Sequence, residues 1–188
     1  MWQWGTPVSV MSSAPVGGGL GLVEWTLNIG VGSDYNRTDL SEHAREVAAE
    51  IGVRGTGVAM FTAVDLSLRQ RCDFEGVTVD ATVGVSHPTW AAEIPEAVET
   101  VSPGTINLVI QMPVGLDPGA AVNAVMTATE AKTQALAAQG VEGTGTATDA
   151  VTIIWPPGIP AARFAGPRSR WGARIGQAVY RAVRAGAV

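Results

Sequence analysis

The chain is poor in the residues that staple or metallate a protein. Its 188 residues include one cysteine, Cys72, and two histidines, His43 and His87. One cysteine excludes an intramolecular disulfide and a cysteine-rich zinc site, and two histidines would need carboxylate help to hold a metal. No cofactor and no metal is expected. No apolar run approaches the ~18 residues that span a bilayer. The opening Met1-Trp-Gln-Trp-Gly-Thr-Pro7 lacks the basic and apolar regions of a signal peptide. A cytoplasmic protein without a membrane span is expected. Positive charge is scarce too: the net charge is −5, which argues against a nucleic-acid partner. Lysine is the scarcest of all, Lys132 standing alone against eleven arginines.

What remains is apolar enough to fold unaided. Hydrophobic residues make up 46% of the chain, and a domain of this length buries roughly 70% of its unfolded surface. A single domain over 1–188 is expected. Charge is uneven, because no acidic residue follows Asp149, whereas Arg163, Arg168, Arg170, Arg174, Arg181 and Arg184 do. That tail either faces solvent or binds a phosphate.

Alternation predicts strands over 7–13, 20–31, 58–64, 77–85, 105–112 and 150–155. A helix starts near Asp39 or Ser41, with a short polar side chain as cap, and carries Ala44, Val47, Ala48 and Ile51 on one stripe before Gly52. A second opens at Asp117-Pro118 and runs to about Gln139. A third, from Ser169 to about Ala185, sets Trp171, Ile175, Ala178, Val179 and Ala182 against an arginine face. Residues 94–103 read as loop with a helical turn, and 160–167 as loop. Two segments share one grammar: Thr26-Leu-Asn28, helix, Gly55-Thr-Gly57, strand; then Thr105-Ile-Asn107, helix, Gly143-Thr-Gly145, strand. The expected fold is α/β (or α+β), a mixed sheet with helices packed on it, two pseudo-repeated β-α-β units and a C-terminal amphipathic helix.

Candidate chemistry is dispersed. Gly143-Thr-Gly-Thr-Ala-Thr-Asp149 offers close backbone approach, hydroxyls and a carboxylate, or else it is a helix-to-strand turn. Asn123, Thr127, Glu130 and Gln134 form a polar stripe that a solvated face explains equally well. Lys132 is either a substrate-holding cation or a surface lysine. Asn28 and Asn107 interrupt apolar strands, so each knits the fold or reaches a ligand. Ser86 and His87 point oppositely if extended and form no dyad by adjacency. Trp25, Trp90, Trp155 and Trp171 either fill the core or line a flat pocket.

Taken in order, Ser12-Ser13 with Gly17-Gly-Gly19, Asn28 with Val31 and Asp34-Tyr35, Gly57-Val-Ala-Met-Phe-Thr62-Ala-Val-Asp65, Gly84-Val-Ser86, Gly104-Thr-Ile-Asn107, Thr129-Glu-Ala-Lys132, Gly143-Thr-Gly-Thr146, Asp149-Ala-Val and Gly166…Gly172…Ala178-Val179 resemble the adenosylcobinamide amidohydrolase family over about residues 8–183. The resemblance implies hydrolysis of the amide joining the aminopropanol arm to the corrin of adenosylcobinamide. The partner is then a small-molecule corrinoid, with oligomer formation left open. It also implies substrate contacts at Ser12, Ser13, Asn28, Thr62, Asp65, Ser86, Asn107, Gly143, Thr144, Gly145 and Thr146. His87-Pro88 and Gly166-Pro-Arg-Ser-Arg170 depart from the family pattern. Amide hydrolysis needs an activated water and a group to hold the oxyanion. Asp149 or Glu130 is expected to activate water, and Lys132 or the Gly143–Gly145 backbone to hold the oxyanion. A threonine nucleophile in a Gly-Thr site is the alternative.

Overall fold

The computed structural model describes residues 1–93 and 104–187. The loop expected over 94–103 lies outside the described residues. Strands β1 (Trp2–Ser12), β2 (Gly19–Gly30), β3 (Gly57–Thr62), β4 (Gln70–Phe74), β5 (Val77–Val83), β6 (Ile106–Gln111) and β8 (Ala150–Trp155) form one mixed sheet in the order β3-β2-β1-β8-β6-β5-β4. A separate two-stranded ribbon joins β7 (Gly115–Leu116) to β9 (Ala161–Ala162). The helices are α1 (Leu40–Glu50), α2 (Pro118–Ala138) and α3 (Arg170–Gly186).

Both expected β-α-β units are present. α1 links β2 to its parallel neighbour β3, and α2 links β6 to its parallel neighbour β8. Each crossover buries an apolar stripe of its helix. α1 covers Trp25, Leu27, Ile29 and Ala59 with Ala44 and Ala48. α2 and α3 together cover Val79, Leu108, Ile110, Val151 and Ile153. Ser169 caps α3 by accepting from Gly172 N–H at 3.0 Å. At α1 the expected Asp39 side-chain cap is not made, because Arg37 engages that carboxylate and Glu46 together. The hydrogen bonds from Arg37 pull the Asp39 carboxyl down to about 2.

The sheet folds over on itself without closing. The register of β1 against β2 shifts between Gln3 and Val8, and beyond that point β2 and β3 cross over β5, β6 and β8. Val58 and Met60 thereby share a core with Val109, Ala150 and Ile154, and Asn28 reaches Thr82 on β5 at 3.0 Å. Four strand segments escaped the sequence reading, among them the two-residue β7 between the expected strand 105–112 and the helix that follows it. Residues 2–6 extend β1 across Gly5. β4 is a polar edge strand that reads as loop. Ala161–Ala162 adds a short strand inside the expected loop 160–167.

α2 lies close to the sheet because its inner face is alanine: Ala120, Ala121, Ala124, Ala128, Ala131 and Ala135 are all buried. Two polar residues of the same helix are buried as well. Thr127 donates to Ala165 O at 2.8 Å, and Lys132 is 5% exposed, so neither belongs to a solvated stripe, whereas Glu130 and Gln134 do face outward. Ala128→Leu is expected to overpack this seam, lowering stability by about 1–3 kcal/mol and displacing Lys132 one turn further along. A urea midpoint compared with wild type checks it.

Candidate functional site

β1, β2 and β3 end, and β6 and β8 begin, at one rim of the folded sheet. A cavity of about 440 Å³ opens there, lined by residues including Ser13, Thr62, Thr105, Asn107, Thr148 and Asp149. A wider cleft of about 650 Å³ lies beside it, lined by Thr89, Glu130, Lys132, Thr133, Thr144, Gly145, Thr146 and Asp149 among others. Asp149 is common to both. The run 143–149, read as either site or turn, divides the two spaces.

Asp149 is the most heavily bonded side chain at this rim. Its Oδ1 accepts from Ile106 N–H at 2.9 Å and from the Thr146 hydroxyl at 2.5 Å. Its Oδ2 accepts from Thr146 N–H at 3.2 Å and from Lys132 Nζ in a short ion pair. Four donors fill the lone-pair positions of a carboxylate, so Asp149 is fixed as an anchor for Lys132. The Lys132 and Asp149 side chains are only 7% and 13% exposed. Among the described residues the ammonium has no other partner, which leaves two of its three donors to the cleft. Gly145 passes so close that a Cβ there would meet both Lys132 Nζ and Asp149 Oδ2.

The other candidate residues divide by place. Ser12 lies behind the cavity, bonded to Thr152 Oγ1 at 2.7 Å and accepting from Ala14 N–H. Ser13 lines it and accepts from Val151 N–H at 3.0 Å. Thr62 lines it and accepts from Val64 N–H. Asn28 stands behind Asn107, whose Nδ2 donates to Asn28 Oδ1 at 2.8 Å and to Phe61 O at 2.9 Å. The two echoing asparagines therefore knit the fold to each other, and Asn107 also faces the cavity. Asp65 lies in neither space; its carboxylate accepts from Ser67 N–H at 2.8 Å and caps a 3₁₀ turn, Leu66–Leu68. Ser86 Oγ sits beside Gly104. Gly143 is buried against Pro88 and Thr89. In the expected oxyanion backbone, Gly143 N–H donates to Val141 O and Thr144 N–H to Thr89 O, so two of its three amides are engaged internally. Glu130 is on the cleft's outer wall and exposed.

Sequence reasoning missed two groups. Thr105 and Thr148 form a hydroxyl pair in the cavity; their placement depends on β6 and β8 starting side by side. Tyr35, His43 and Phe61 form an aromatic cluster, with the Tyr35 hydroxyl bonded to His43 Nδ1 at 2.7 Å. Burial pushes the Tyr35 phenol above its ordinary value. The Asp34-Tyr35 pair was the available signal, but its polar loop hid the ring's packing. Of the four singled-out tryptophans, Trp25 and Trp155 are core and Trp171 stacks with Arg174, 4.7 Å from ring centre to guanidinium. Trp90 alone is exposed, between the cleft residues Thr89 and Ala91. No three His, Cys, Asp or Glu side chains cluster as metal ligands among the described residues. No helix among them is long and apolar enough to cross a membrane.

A family model described as adenosylcobinamide amidohydrolase matches residues 1–188. The adenosylcobinamide amidohydrolase of Methanosarcina mazei is 30% identical to the chain over 183 residues, covering 93% of it and 88% of that relative. A Halobacterium salinarum protein of the same name is 36% identical over 115 residues, covering 58% of the chain and 49% of the relative.

Proposed function

Since the chain belongs to the adenosylcobinamide amidohydrolase family, we propose that it hydrolyses the amide joining the aminopropanol arm to the corrin side chain of adenosylcobinamide. The products are adenosylcobyric acid, a precursor for coenzyme B12 assembly, and free aminopropanol. One observation carries the assignment of the reacting centre: a buried ammonium, held by a saturated carboxylate, faces an open cleft.

The chemistry follows from that pair. A carbonyl oxygen entering the cleft takes the two open N–H donors of Lys132. As water adds to the carbonyl carbon, the negative charge gathering on that oxygen sits against a preorganised cation with little competing solvent. Glu130, on the wall of the same cleft, takes the proton of the attacking water and returns it to the amide nitrogen as the C–N bond breaks. Asp149 neither gains nor loses a proton. The exposed Trp90 at the rim offers a flat apolar surface to the corrin ring.

Incubating purified protein with adenosylcobinamide and separating the products with mass detection tests the reading. Release of aminopropanol in equal amount to adenosylcobyric acid is the expected result. Corrinoid that binds but stays intact would make the chain a carrier, and neither binding nor cleavage would remove the corrinoid reading altogether.

A further inference from the structure

The rim cavity is too large for the arm that is cut. Its volume of about 440 Å³ equals that of roughly fifteen waters at ~30 Å³ each, and an aminopropanol arm of about five non-hydrogen atoms would leave most of it unfilled. Its lining is not that of an arm site either. Tyr35 and Phe61, both lining residues, stack nearly parallel, with ring centroids 5.9 Å apart and planes 18° from each other. His43 packs against both rings and holds the Tyr35 hydroxyl, so the wall is braced from behind. Asn107 stands in the same cavity with its Oδ1 buried and without a hydrogen-bond partner among the described residues. Its orientation is set, because its Nδ2 already donates to the Phe61 carbonyl and to Asn28 Oδ1. The unmet need is therefore for a donor. Ser13, Thr105 and Thr148 add hydroxyls to the lining.

A flat π face, a buried acceptor awaiting an N–H and hydroxyls in the lining together describe a site for a purine nucleoside. The ring stacks on the aromatic wall, the exocyclic amine donates to the asparagine oxygen, and the sugar meets the hydroxyls. We infer that the rim cavity receives the adenosyl group of the corrinoid while the scissile amide lies across Asp149 in the Lys132 cleft, and that Tyr35, Phe61 and Asn107 discriminate adenosylated from non-adenosylated corrinoids. This assignment rests on the corrinoid reading for its substrate, but the cavity's preference for a nucleoside is measurable without it.

The test uses free 5′-deoxyadenosine, titrated calorimetrically into wild-type protein and into Phe61→Leu and Tyr35→Ser variants, each first shown to be folded by circular dichroism. Wild type is expected to bind and each variant to bind about tenfold or more weakly, since base–aromatic stacking commonly contributes that much. In turnover, 5′-deoxyadenosine is expected to inhibit competitively. Phe61→Leu should raise KM for adenosylcobinamide about tenfold with kcat little changed, and leave cyanide-capped cobinamide unaffected. Nucleoside binding with no cleavage of any corrinoid would keep the subsite and remove the reaction. Cleavage with no nucleoside binding, an equal effect of Phe61→Leu on both corrinoids, or displacement by aminopropanol alone would overturn the subsite and keep the reaction.

Discussion

Lys132→Met is expected to lower kcat for adenosylcobinamide by about 10²–10³-fold, the usual consequence of removing one preorganised oxyanion donor. Methionine keeps the length and apolar stem of lysine, so the helix seam stays filled. What is lost is the charge. Binding of the intact corrinoid should fall much less, because the ring and its other side chains touch other surfaces. Removing one partner of a buried pair also costs stability, about 3–5 kcal/mol in well-enclosed cases, and less here because Asp149 keeps its bonds from Ile106 and Thr146. The double variant Lys132→Met/Asp149→Asn separates the two effects. It is expected to regain most of the urea midpoint, with the carboxylate charge gone, and none of the turnover. Lys132→Arg should not rescue, because a guanidinium is broader than an ammonium and Gly145 already presses on the Nζ position. Single-turnover rates and unfolding midpoints of the four proteins check this. A Lys132→Met enzyme working within tenfold of wild type would place the oxyanion elsewhere.

The burial of Lys132 shows where sequence periodicity stops informing. Helix, strand and crossover order were legible because alternation and 3.6-residue stripes are local, and both β-α-β units and the amphipathic α3 follow from them. On α2 the same method faltered. Its alanines carry little hydrophobic contrast, so a polar residue among them reads as solvated. In the structure small side chains let the sheet approach, and this burial extends to Thr127 and Lys132. Asp149 was legible as a member of a Gly-Thr run, but its role depends on Ile106, which precedes it by 43 residues. The Asn28–Asn107 bond spans 79 residues and arises only because the sheet doubles over. The β1 register shift that permits this leaves no pattern beyond Gly5 and Pro7. Edge strand β4 was hidden for a related reason: one of its faces is wet, and Gln70, Arg71 and Asp73 look like loop.

Gly145→Ala is expected to reduce turnover about as severely as loss of the lysine itself, through a single added carbon. The residue's backbone is not in the left-handed region, so an alanine is conformationally acceptable, and by reducing the freedom of the unfolded chain it would by itself stabilise by about 0.4–1 kcal/mol. Space decides the outcome instead. The added Cβ would coincide with the contact between Lys132 Nζ and Asp149 Oδ2. The segment cannot easily back away, because Thr89 N–H donates to Gly145 O at 2.8 Å and Thr144 N–H donates to Thr89 O at 2.8 Å. The ammonium must therefore move off the position from which it meets a carbonyl oxygen. Small misplacements of this kind commonly cost about 10²-fold, with an overpacking cost of about 1–3 kcal/mol in stability. Gly119→Ala is the control. It lies in the first turn of α2 with open space around its Cβ position, and should leave kcat unchanged while stabilising the helix by up to about 1 kcal/mol. Measured side by side, a large fall in kcat at 145 and none at 119 would tie catalysis to the geometry of the pair. Equal activity of the two variants would mean that Lys132 serves the fold, and that the carbonyl is held by another group.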